Sequence, residues 1–230
     1  MSRTPQTGNE QQSIGIRHRA IHEMPFAVFD FETTGMLPDY DRVVEVSVVR
    51  YEPGTSTPRL VLDTLIHPQQ PVSATEIHGI TSRMVKGAPT FKDVWPAIQE
   101  AMSGCVIAAY NASFDMRFLG AEISRLGLEA KMPYVCLMNM RSLIGRERCK
   151  LSEACREAGV RIEHAHRAAG DAMASAKLLP GYFKSMGHCN IVTFDDLCGA
   201  GKHVYMKSFV HSPLPRRTGS SCNLCPRESV

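Results

Sequence analysis

The stretch AVFDFETTG, residues 27–35, places two carboxylates within a run that otherwise has the composition of a buried β-strand. Residues i and i+2 of a strand project from the same face, so we expect Asp30 and Glu32 to point together while Phe29 and Phe31 pack behind them. Two like charges in one small volume are costly to bury unless a cation lies between them, and hard carboxylate oxygens favour Mg²⁺ or Mn²⁺. The stretch therefore predicts a metal site, and an edge strand whose acids face water is the alternative.

The three residues that follow this strand extend the predicted site. Thr33, Thr34 and Gly35 supply hydroxyls, backbone N–H groups and a glycine at the end of the strand. Glycine at such a position lets the backbone approach a ligand closely. The turn therefore suits the close approach of a ligand to the backbone.

The composition is that of a globular protein with one main domain. The 230 residues are 43% apolar and 21% charged, which suits a core that needs no disulfides. No apolar run approaches the roughly 18 to 20 residues that span a bilayer, and the first 20 residues lack the apolar core of a secretory signal. The eight cysteines are mostly scattered through apolar or helical patterns, which predicts a reducing, cytoplasmic location. A net charge of +3 is too small to identify a polyanionic partner.

Hydrophobic periodicity predicts three strands followed by alternating helices and strands. Strands over residues 26–32, 43–51 and 60–67 are joined by short, turn-rich links, which favour antiparallel pairing. A helix capped by Thr90 has Asp93 in the capping-box position. Further strands are predicted over 105–111 and 134–140, and further helices over 113–126, 151–158 and 168–186. This order indicates an α/β fold in which a mixed five-stranded sheet is flanked by helices.

The expected domain organisation has three parts: a flexible leader over residues 1–24, a folded domain over 25–187 and a weakly structured extension over 188–230. The extension contains one CxxC pair, Cys222 and Cys225, whose spacing suits a zinc knuckle but which lacks a second regular pair. A tail with free thiols is the alternative.

Two further segments carry acids near the predicted starts of helices. In AAYNASFDMRFL, Asp115 lies in the first helical turn, where stabilisation of the helix dipole would also explain it. In HAHRAAGDAMAS, His166 precedes Asp171 by five residues, and His164 is a rival for the same role. A neutral imidazole beside carboxylates and a metal can accept a proton from water. A surface histidine and a first-turn aspartate are the alternatives.

In combination, FDFETTG, YNASFD and HRAAGDA resemble the motifs of the DEDDh 3′–5′ exonucleases, a family that includes the proofreading epsilon subunit of bacterial DNA polymerase III. The segment EIHGIT, residues 76–81, resembles a further motif of polymerase-type members. The resemblance covers residues 25–186. It implies a ribonuclease H-like fold, an exonuclease domain over 25–187, and metal-dependent release of nucleoside monophosphates from 3′ ends.

The resemblance also implies roles for individual residues. Two divalent ions, Mg²⁺ or Mn²⁺, would be held by Asp30, Glu32, Asp115 and Asp171, and His166 would activate the attacking water. The substrate would contact Thr33, Thr34, Gly35, His78 and Phe114. For His78 a loop histidine bonded to the backbone is the alternative, and for Phe114 a position in the core.

EIHGIT favours DNA over RNA, so the predicted partner is single-stranded DNA with a 3′ end, with a DNA polymerase as a second candidate partner. An exoribonuclease that trims RNA 3′ ends and a non-catalytic nucleic-acid-binding or polymerase-associated module are the alternative functions. Outside the metal set, we expect Glu45 to face solvent or a neighbouring basic side chain. Arg125 is expected to be a solvated helix residue.

Overall fold

The computed structural model describes residues 18–55, 57–129, 131–199 and 207–210, with no side chains given for 131–133, 198–199 and 207–210. Its strands form one sheet in the order β3-β2-β1-β4-β5-β6. Their bounds are β1 Phe26–Thr33, β2 Val43–Tyr51, β3 Arg59–Leu65, β4 Val106–Ala109, β5 Lys131–Cys136 and β6 Lys207–Val210. Most of the sequence-based strand boundaries agree with these to within two residues.

The sheet is mixed, as the link lengths predict. β1 pairs antiparallel with β2, which pairs antiparallel with β3, whereas β4 runs parallel to β1 and β5 parallel to β4. β6 pairs antiparallel with β5. The five predicted strands are therefore confirmed, and β6 adds a sixth from a region where no strand was predicted. The predictions for residues 1–17 and for Cys222 and Cys225 concern residues outside the described part of the chain.

The strand predicted over residues 134–140 is wrong in its second half. β5 ends at Cys136, whose partner Ala109 is the last residue of β4, and a helix covers the next seven residues, Leu137–Leu143. Met138 N–H still donates to Tyr110 O at 2.9 Å, but the neighbouring chain enters α4 at Ala112, so no parallel strand is available for further pairing. A short, continuously apolar run does not distinguish a buried strand from a buried helix, which is why periodicity failed here.

Helices cover both faces of the sheet. Their bounds are α1 Thr75–His78, α2 Ser82–Val85, α3 Phe91–Met102, α4 Ala112–Arg125, α5 Leu137–Leu143, α6 Leu151–Ala158, α7 Ala168–His188 and α8 Phe194–Gly199, and a 3₁₀ turn at Ile21–Glu23 precedes β1. On one face α7 packs across β1 and β2, and the rings of Phe26 and Phe183 lie 5.3 Å apart. On the other face, Phe31 meets Phe91 of α3 at 6.4 Å.

The alternation of side chains along β1 decides what this strand contributes to each face. Phe29 and Phe31 are buried and contact each other at 5.2 Å on the α3 side, as predicted. Asp30 and Glu32 lie on the α7 side. The two predicted carboxylates therefore face the first turn of the longest described helix. None of the described helices is long and apolar enough to cross a membrane.

Local sequence explains where the helix on the α3 side begins. The backbone N–H and the hydroxyl of Thr90 both donate to Asp93 Oδ2, at 2.9 and 2.6 Å. This is the predicted capping box, and it satisfies backbone donors that the first helical turn leaves without partners. The apolar face of α3 then lies against β2 and β3.

Candidate active site

Three carboxylates from two distant segments meet at the C-terminal end of β1. Asp30 and Glu32 of β1 and Asp171 of α7 each offer an oxygen atom, and these atoms lie within 4.8 Å of one another. Among the ion pairs of the described residues, none involves any of these three side chains. Clustered hard oxygen donors without an ion-pair partner fit a divalent cation. The alternative of acids that face bulk water does not fit, because all three are partly buried.

The fourth predicted acid, Asp115, lies next to this cluster but is held by β1. It is buried in the first turn of α4, and Phe31 N–H donates to its Oδ1 at 3.2 Å. Burial, together with the charge of Asp171, raises the pKa of Asp115 against the effect of this bond. Asp115 is therefore close enough to the other acids to interact with them electrostatically, and one of its oxygens also anchors α4 to the central strand.

Burial and mutual repulsion shift the protonation of the whole cluster. Desolvation followed by the charges of Asp171 and Glu45 raises the pKa of Glu32 to about 8. Desolvation and the charge of Asp115 raise the pKa of Asp30 well above its usual value. Desolvation also raises the pKa of Asp171, although the backbone N–H of His166 opposes the effect. Without a cation, this site holds protons at a pH where ordinary carboxylates have lost them.

These raised pKa values predict a pH effect on the metal-free protein. The folded state binds more protons than the unfolded state from about pH 4 to the Glu32 pKa of about 8. The cluster's contribution to the free energy of unfolding therefore falls as the pH rises through this window. A divalent cation should offset the loss, so we expect saturating Mn²⁺ to raise the melting temperature by about 5 to 10 °C at pH 8 and by less at pH 5.

Differential scanning calorimetry with a chelator or with MnCl₂ at both pH values measures this effect. An equal Mn²⁺ shift at pH 5 and pH 8, or no shift at either, would contradict the assignment of these carboxylates as metal ligands. A mixture of CaCl₂ and chelator at equal ionic strength controls for general salt effects.

His166 lies at the rim of the cluster, on the loop that leads into α7. Its backbone N–H donates to Asp171 Oδ2 at 3.3 Å, and its side chain is exposed. His164 is exposed as well, and both residues have positive φ angles, 56° for His164 and 61° for His166. The structure therefore brings His166 to the acids through the main chain, while it leaves the imidazole accessible to solvent and substrate.

Gly170 explains how this loop is held. A Cβ atom at Gly170 would lie 2.0 Å from the carbonyl oxygen of Glu163 and 2.6 Å from that of His164. Both contacts are to backbone atoms, which have little freedom to move. Only glycine in the first turn of α7 lets the loop pack this closely against the helix.

The turn after β1 is held within the protein more tightly than the sequence indicates. The hydroxyl of Thr34 donates to Asp41 Oδ1 at 3.1 Å and accepts from Arg42 N–H and Gln70 Nε2 at 3.0 and 2.9 Å. Its backbone N–H donates to Arg42 O at 2.8 Å, and its carbonyl accepts from Ser73. Every polar group of Thr34 thus has a partner within the protein, which gives substrate contact by Thr34 no support, and that contact stays a prediction.

Thr33 and Gly35 remain candidates for substrate contact. The Thr33 hydroxyl donates to Gly35 O at 2.6 Å, which leaves its lone pairs available. A Cβ atom at Gly35 would lie 2.5 Å from Asp41 Oδ2, so a larger residue would have to displace this carboxylate from its bonds to Thr34 and Leu37. Close approach of a ligand to Gly35 stays a prediction.

His78 makes the backbone bond of the alternative interpretation, and its second ring nitrogen has no partner among the described residues. It is buried at the end of α1, and its Nδ1 accepts from Ile80 N–H at 3.0 Å, as a loop histidine bonded to the backbone would do. Because Nδ1 is an acceptor, Nε2 carries the proton of the neutral ring. Nε2 is buried, and no described residue accepts from it. Phe114 is half-buried against Phe118, with ring centroids 4.9 Å apart, so it is partly a core residue.

Of two charged residues outside the metal set, Glu45 follows one of its two expected interpretations and Arg125 differs from its expectation. Glu45 does not face solvent: it is 1% exposed and pairs with Arg167, the basic neighbour that the other interpretation required. Arg125 is not simply solvated, because it pairs with Glu122 at 3.1 Å and donates to Asp41 O at 3.2 Å. Arg167 itself was overlooked, although its place directly after His166 in HRAAGDA was the available signal.

Comparison with known proteins identifies the family to which this arrangement belongs. The family model described as exonuclease matches residues 27–179. The chain belongs to the exonuclease family. This match includes every residue of the carboxylate cluster and His166, and the resemblance to the DEDDh exonucleases is confirmed.

Relatives of this exonuclease chain include two kinds of polymerase-associated protein. A PolC-type DNA polymerase III of Bacillus cereus is 32% identical over 174 residues, which are 74% of this chain and 12% of that protein. A DNA polymerase III subunit epsilon-like protein of Rhodobacter capsulatus is 33% identical over 171 residues, 70% of this chain and 24% of that protein. The exonuclease chain thus spans less than a quarter of the length of these relatives.

Solved structures confirm the predicted ribonuclease H-like exonuclease fold. Exonuclease X in complex with 5′ overhanging duplex DNA has a TM-score of 0.56 and 26% identity, covering 70% of this exonuclease chain and 93% of the other. The nuclease domain of 3′hExo, a DEDDh family member bound to rAMP, has a TM-score of 0.55 at 17% identity, covering 71% and 95%. The second likeness concerns the fold alone.

Proposed function

We propose that this exonuclease releases nucleoside monophosphates from the 3′ ends of DNA by metal-dependent hydrolysis of the terminal phosphodiester. The observation that carries the proposal is the cluster of Asp30, Glu32 and Asp171, whose oxygens lie within 4.8 Å of one another without an ion-pair partner among the described residues. An acidic pocket without cations would repel a phosphodiester. The arrangement is useful to a nuclease only when divalent metal fills it.

Asp30, Glu32 and Asp171, with the free oxygen of Asp115, are the residues that would hold two Mg²⁺ or Mn²⁺ ions. Bound ions would supply the positive charge that offsets the phosphodiester and makes water more acidic. His166, exposed at the rim, would accept the proton of the attacking water. The attack would break the bond between phosphorus and the 3′ oxygen of the penultimate nucleotide, so the terminal nucleotide leaves with a 5′ phosphate.

Groups around the turn after β1 would bind the terminal nucleotide. Gly35 and the lone pairs of Thr33 lie directly after the metal-ligating strand, and Phe114 lies half-exposed one residue before Asp115. The proton on His78 Nε2 lacks a partner among the described residues, and a buried donor without a partner costs about 1–3 kcal/mol. A substrate oxygen would satisfy this donor.

The His78 contact makes a specific prediction. Replacing His78 with Asn keeps an acceptor near the position of Nδ1, which serves Ile80, but removes Nε2. We expect the KM for an oligonucleotide to rise about tenfold, because one hydrogen bond of about 1.4 kcal/mol is lost, with a smaller change in kcat. Steady-state kinetics with a 5′-labelled oligonucleotide measures both constants.

His67 offers a matched control for this variant. Its Nδ1 accepts from Gln69 N–H at 3.1 Å, the same bond to the residue two positions later, but His67 lies after β3, in an isolated β-bridge with Thr90. His67→Asn should leave KM unchanged. Equal effects of the two substitutions would show that His78 supports the fold and does not contact the substrate.

The direct test of the proposed function follows the fate of labelled strands. Single- and double-stranded DNA and RNA oligonucleotides, each labelled at the 5′ end, are incubated with the full chain and MgCl₂ or MnCl₂. We expect a ladder that shortens from the 3′ end, is abolished by a chelator and forms faster on single-stranded DNA. A faster RNA ladder would establish the exoribonuclease alternative, and binding without any cleavage would establish a non-catalytic module.

The cellular setting follows from the same proposal. We propose that the enzyme works in the cytoplasm on DNA ends, in proofreading or repair, with a DNA polymerase as a candidate partner. The support is that the relatives are DNA polymerase III proteins. Co-purification of the chain with a polymerase, tested with and without DNA, would examine this association.

A further inference from the structure

Glu45 occupies a costly position that the metal cluster does not explain. In the antiparallel register of β1 and β2, Glu45 lies directly opposite Glu32. Like charges in directly opposed positions destabilise a sheet, and Glu45 is in addition almost completely buried, with 1% exposed. A buried carboxylate beside a proposed metal ligand therefore needs both a partner and a purpose.

The partners lie where α7 begins: Arg167 is its N-cap residue and Ala168 its first helical residue. Glu45 Oε2 accepts from the backbone N–H of Ala168 at 2.9 Å, and Oε1 accepts from Arg167 Nε at 3.0 Å and from the terminal nitrogen of the same guanidinium. These bonds use both oxygens of the carboxylate, and Glu45 is not among the three acids whose oxygens converge. Charge-assisted, two-pronged bonds of this kind fix orientation as well as distance.

The bonds of Glu45 join the sheet to the start of α7. Arg167 directly follows His166, and Ala168 precedes Asp171 by three residues in the first turn of the same helix. Glu45 belongs to β2, the strand that pairs with the one carrying Asp30 and Glu32. The pair therefore connects the sheet that carries two of the acids to the segment that carries the third acid and the histidine.

We propose that Glu45 and Arg167 are positioning residues for hydrolysis, which align His166 and Asp171 with the acids of β1 without touching metal or substrate. This inference rests on the proposed exonuclease activity and adds to it two residues with no ligand role. Groups that orient the ligands of a metal site change activity by about 10- to 100-fold when they are lost. The effect should fall on kcat, because the alignment matters most when the reacting atoms meet.

The kinetic test uses Glu45→Gln, Arg167→Met and the double variant in the full chain, with single-turnover rates and KM on a 5′-labelled single-stranded DNA. We expect each single variant to lose about 10- to 100-fold in kcat, with KM within about threefold. Because the two residues act as a unit, the double variant should be no slower than the worse single variant. A double variant whose loss equals the product of the single losses would overturn the proposal.

Glu157→Gln is the matched control. Glu157 Oε2 pairs with the nearly buried Arg141 and with the exposed Arg146, each at 3.0 Å, so this Arg–Glu pair between α5 and α6 buries the arginine and not the acid. We expect kcat of this variant to stay within about twofold of the parent. A kcat loss in Glu157→Gln as large as that in Glu45→Gln would show a general stability effect and overturn the proposal. Arg167→Lys keeps the positive charge but loses the planar guanidinium that binds a carboxylate through two N–H groups. Its kcat should fall less than that of Arg167→Met.

Hydrogen exchange provides a readout that does not depend on activity. In the metal-free protein, amides over residues 163–171 should exchange about tenfold faster in Glu45→Gln than in the parent, because a charged acceptor for Ala168 N–H is lost. Their exchange rates in Glu157→Gln should equal those of the parent. Unchanged exchange there, or a kcat within twofold of the parent, would overturn the positioning role. A parent chain that releases no nucleotides would reject the proposed function instead, and the exchange result would still decide whether Glu45 holds this segment.

Discussion

Asp30→Asn is expected to reduce metal-dependent nucleotide release by about 10³-fold or more while it stabilises the metal-free fold at pH 8. Asp30 is one of the three acids whose oxygens converge, and Asn has nearly its shape without its charge. Loss of a metal ligand removes several kcal/mol of charge stabilisation, and each 1.36 kcal/mol corresponds to a factor of ten in rate. In the metal-free protein the same change removes repulsion with Asp115, Asp171 and Glu32.

The two effects have opposite signs, which makes the prediction specific. Calorimetry in a chelator at pH 8 should show a higher melting temperature for Asp30→Asn than for the parent, and the Mn²⁺ stabilisation should be reduced. Asp195→Asn serves as a control. Asp195 lies on α8 and pairs at the surface with His18, so this substitution should change neither the activity nor the Mn²⁺ stabilisation. Residual activity of Asp30→Asn above about a tenth of the parent, or a lower melting temperature in chelator, would contradict the site.

His166→Gly is expected to reduce kcat by about 10²- to 10⁴-fold, the usual contribution of a general base. Glycine is the right replacement because His166 has a φ angle of 61°, a conformation that strains alanine but not glycine. The backbone N–H that donates to Asp171 remains in this variant. The loss would therefore report on the imidazole and not on the loop.

His164→Gly is the matched control that shows which of the two histidines acts as the base. His164 is also exposed and has a φ angle of 56°, so the two variants change the loop in the same way. We expect His164→Gly to keep kcat within about threefold of the parent, and imidazole added to the buffer to restore part of the activity of His166→Gly. If His164→Gly were the slower variant, His164 would be the base.

The loop around these histidines shows where sequence reasoning reached its limit. The motif HRAAGDA placed Asp171 in the first turn of a helix and His166 before it, and both placements hold. The positive φ angles of the loop and the need for glycine at position 170 depend on which backbone atoms meet in space. The carbonyl groups of Glu163 and His164 approach Gly170 only in the folded loop, so no local sequence pattern predicts these contacts.

The turn after β1 is a second place where long-range contacts could not be derived from the sequence. TTG correctly marked a turn at the site, but the sequence assigned the Thr34 hydroxyl to a substrate. In the structure that hydroxyl is used by Asp41, Arg42 and Gln70. Gln70 lies 36 residues away along the chain, so its approach could not be derived from the turn itself.

The sequence by itself determined the order of the five predicted strands and four predicted helices and the face of β1 that carries Asp30 and Glu32, because alternation along a strand and capping of a helix act over a few residues. Tertiary structure alone decided that Asp171 meets these acids and that Glu45 binds Arg167. Glu45 and Arg167 are 122 positions apart, and a charge finds its partner by proximity in the folded state. For this reason an isolated strand acid in the sequence became, in the fold, a buried carboxylate paired with a partly exposed arginine.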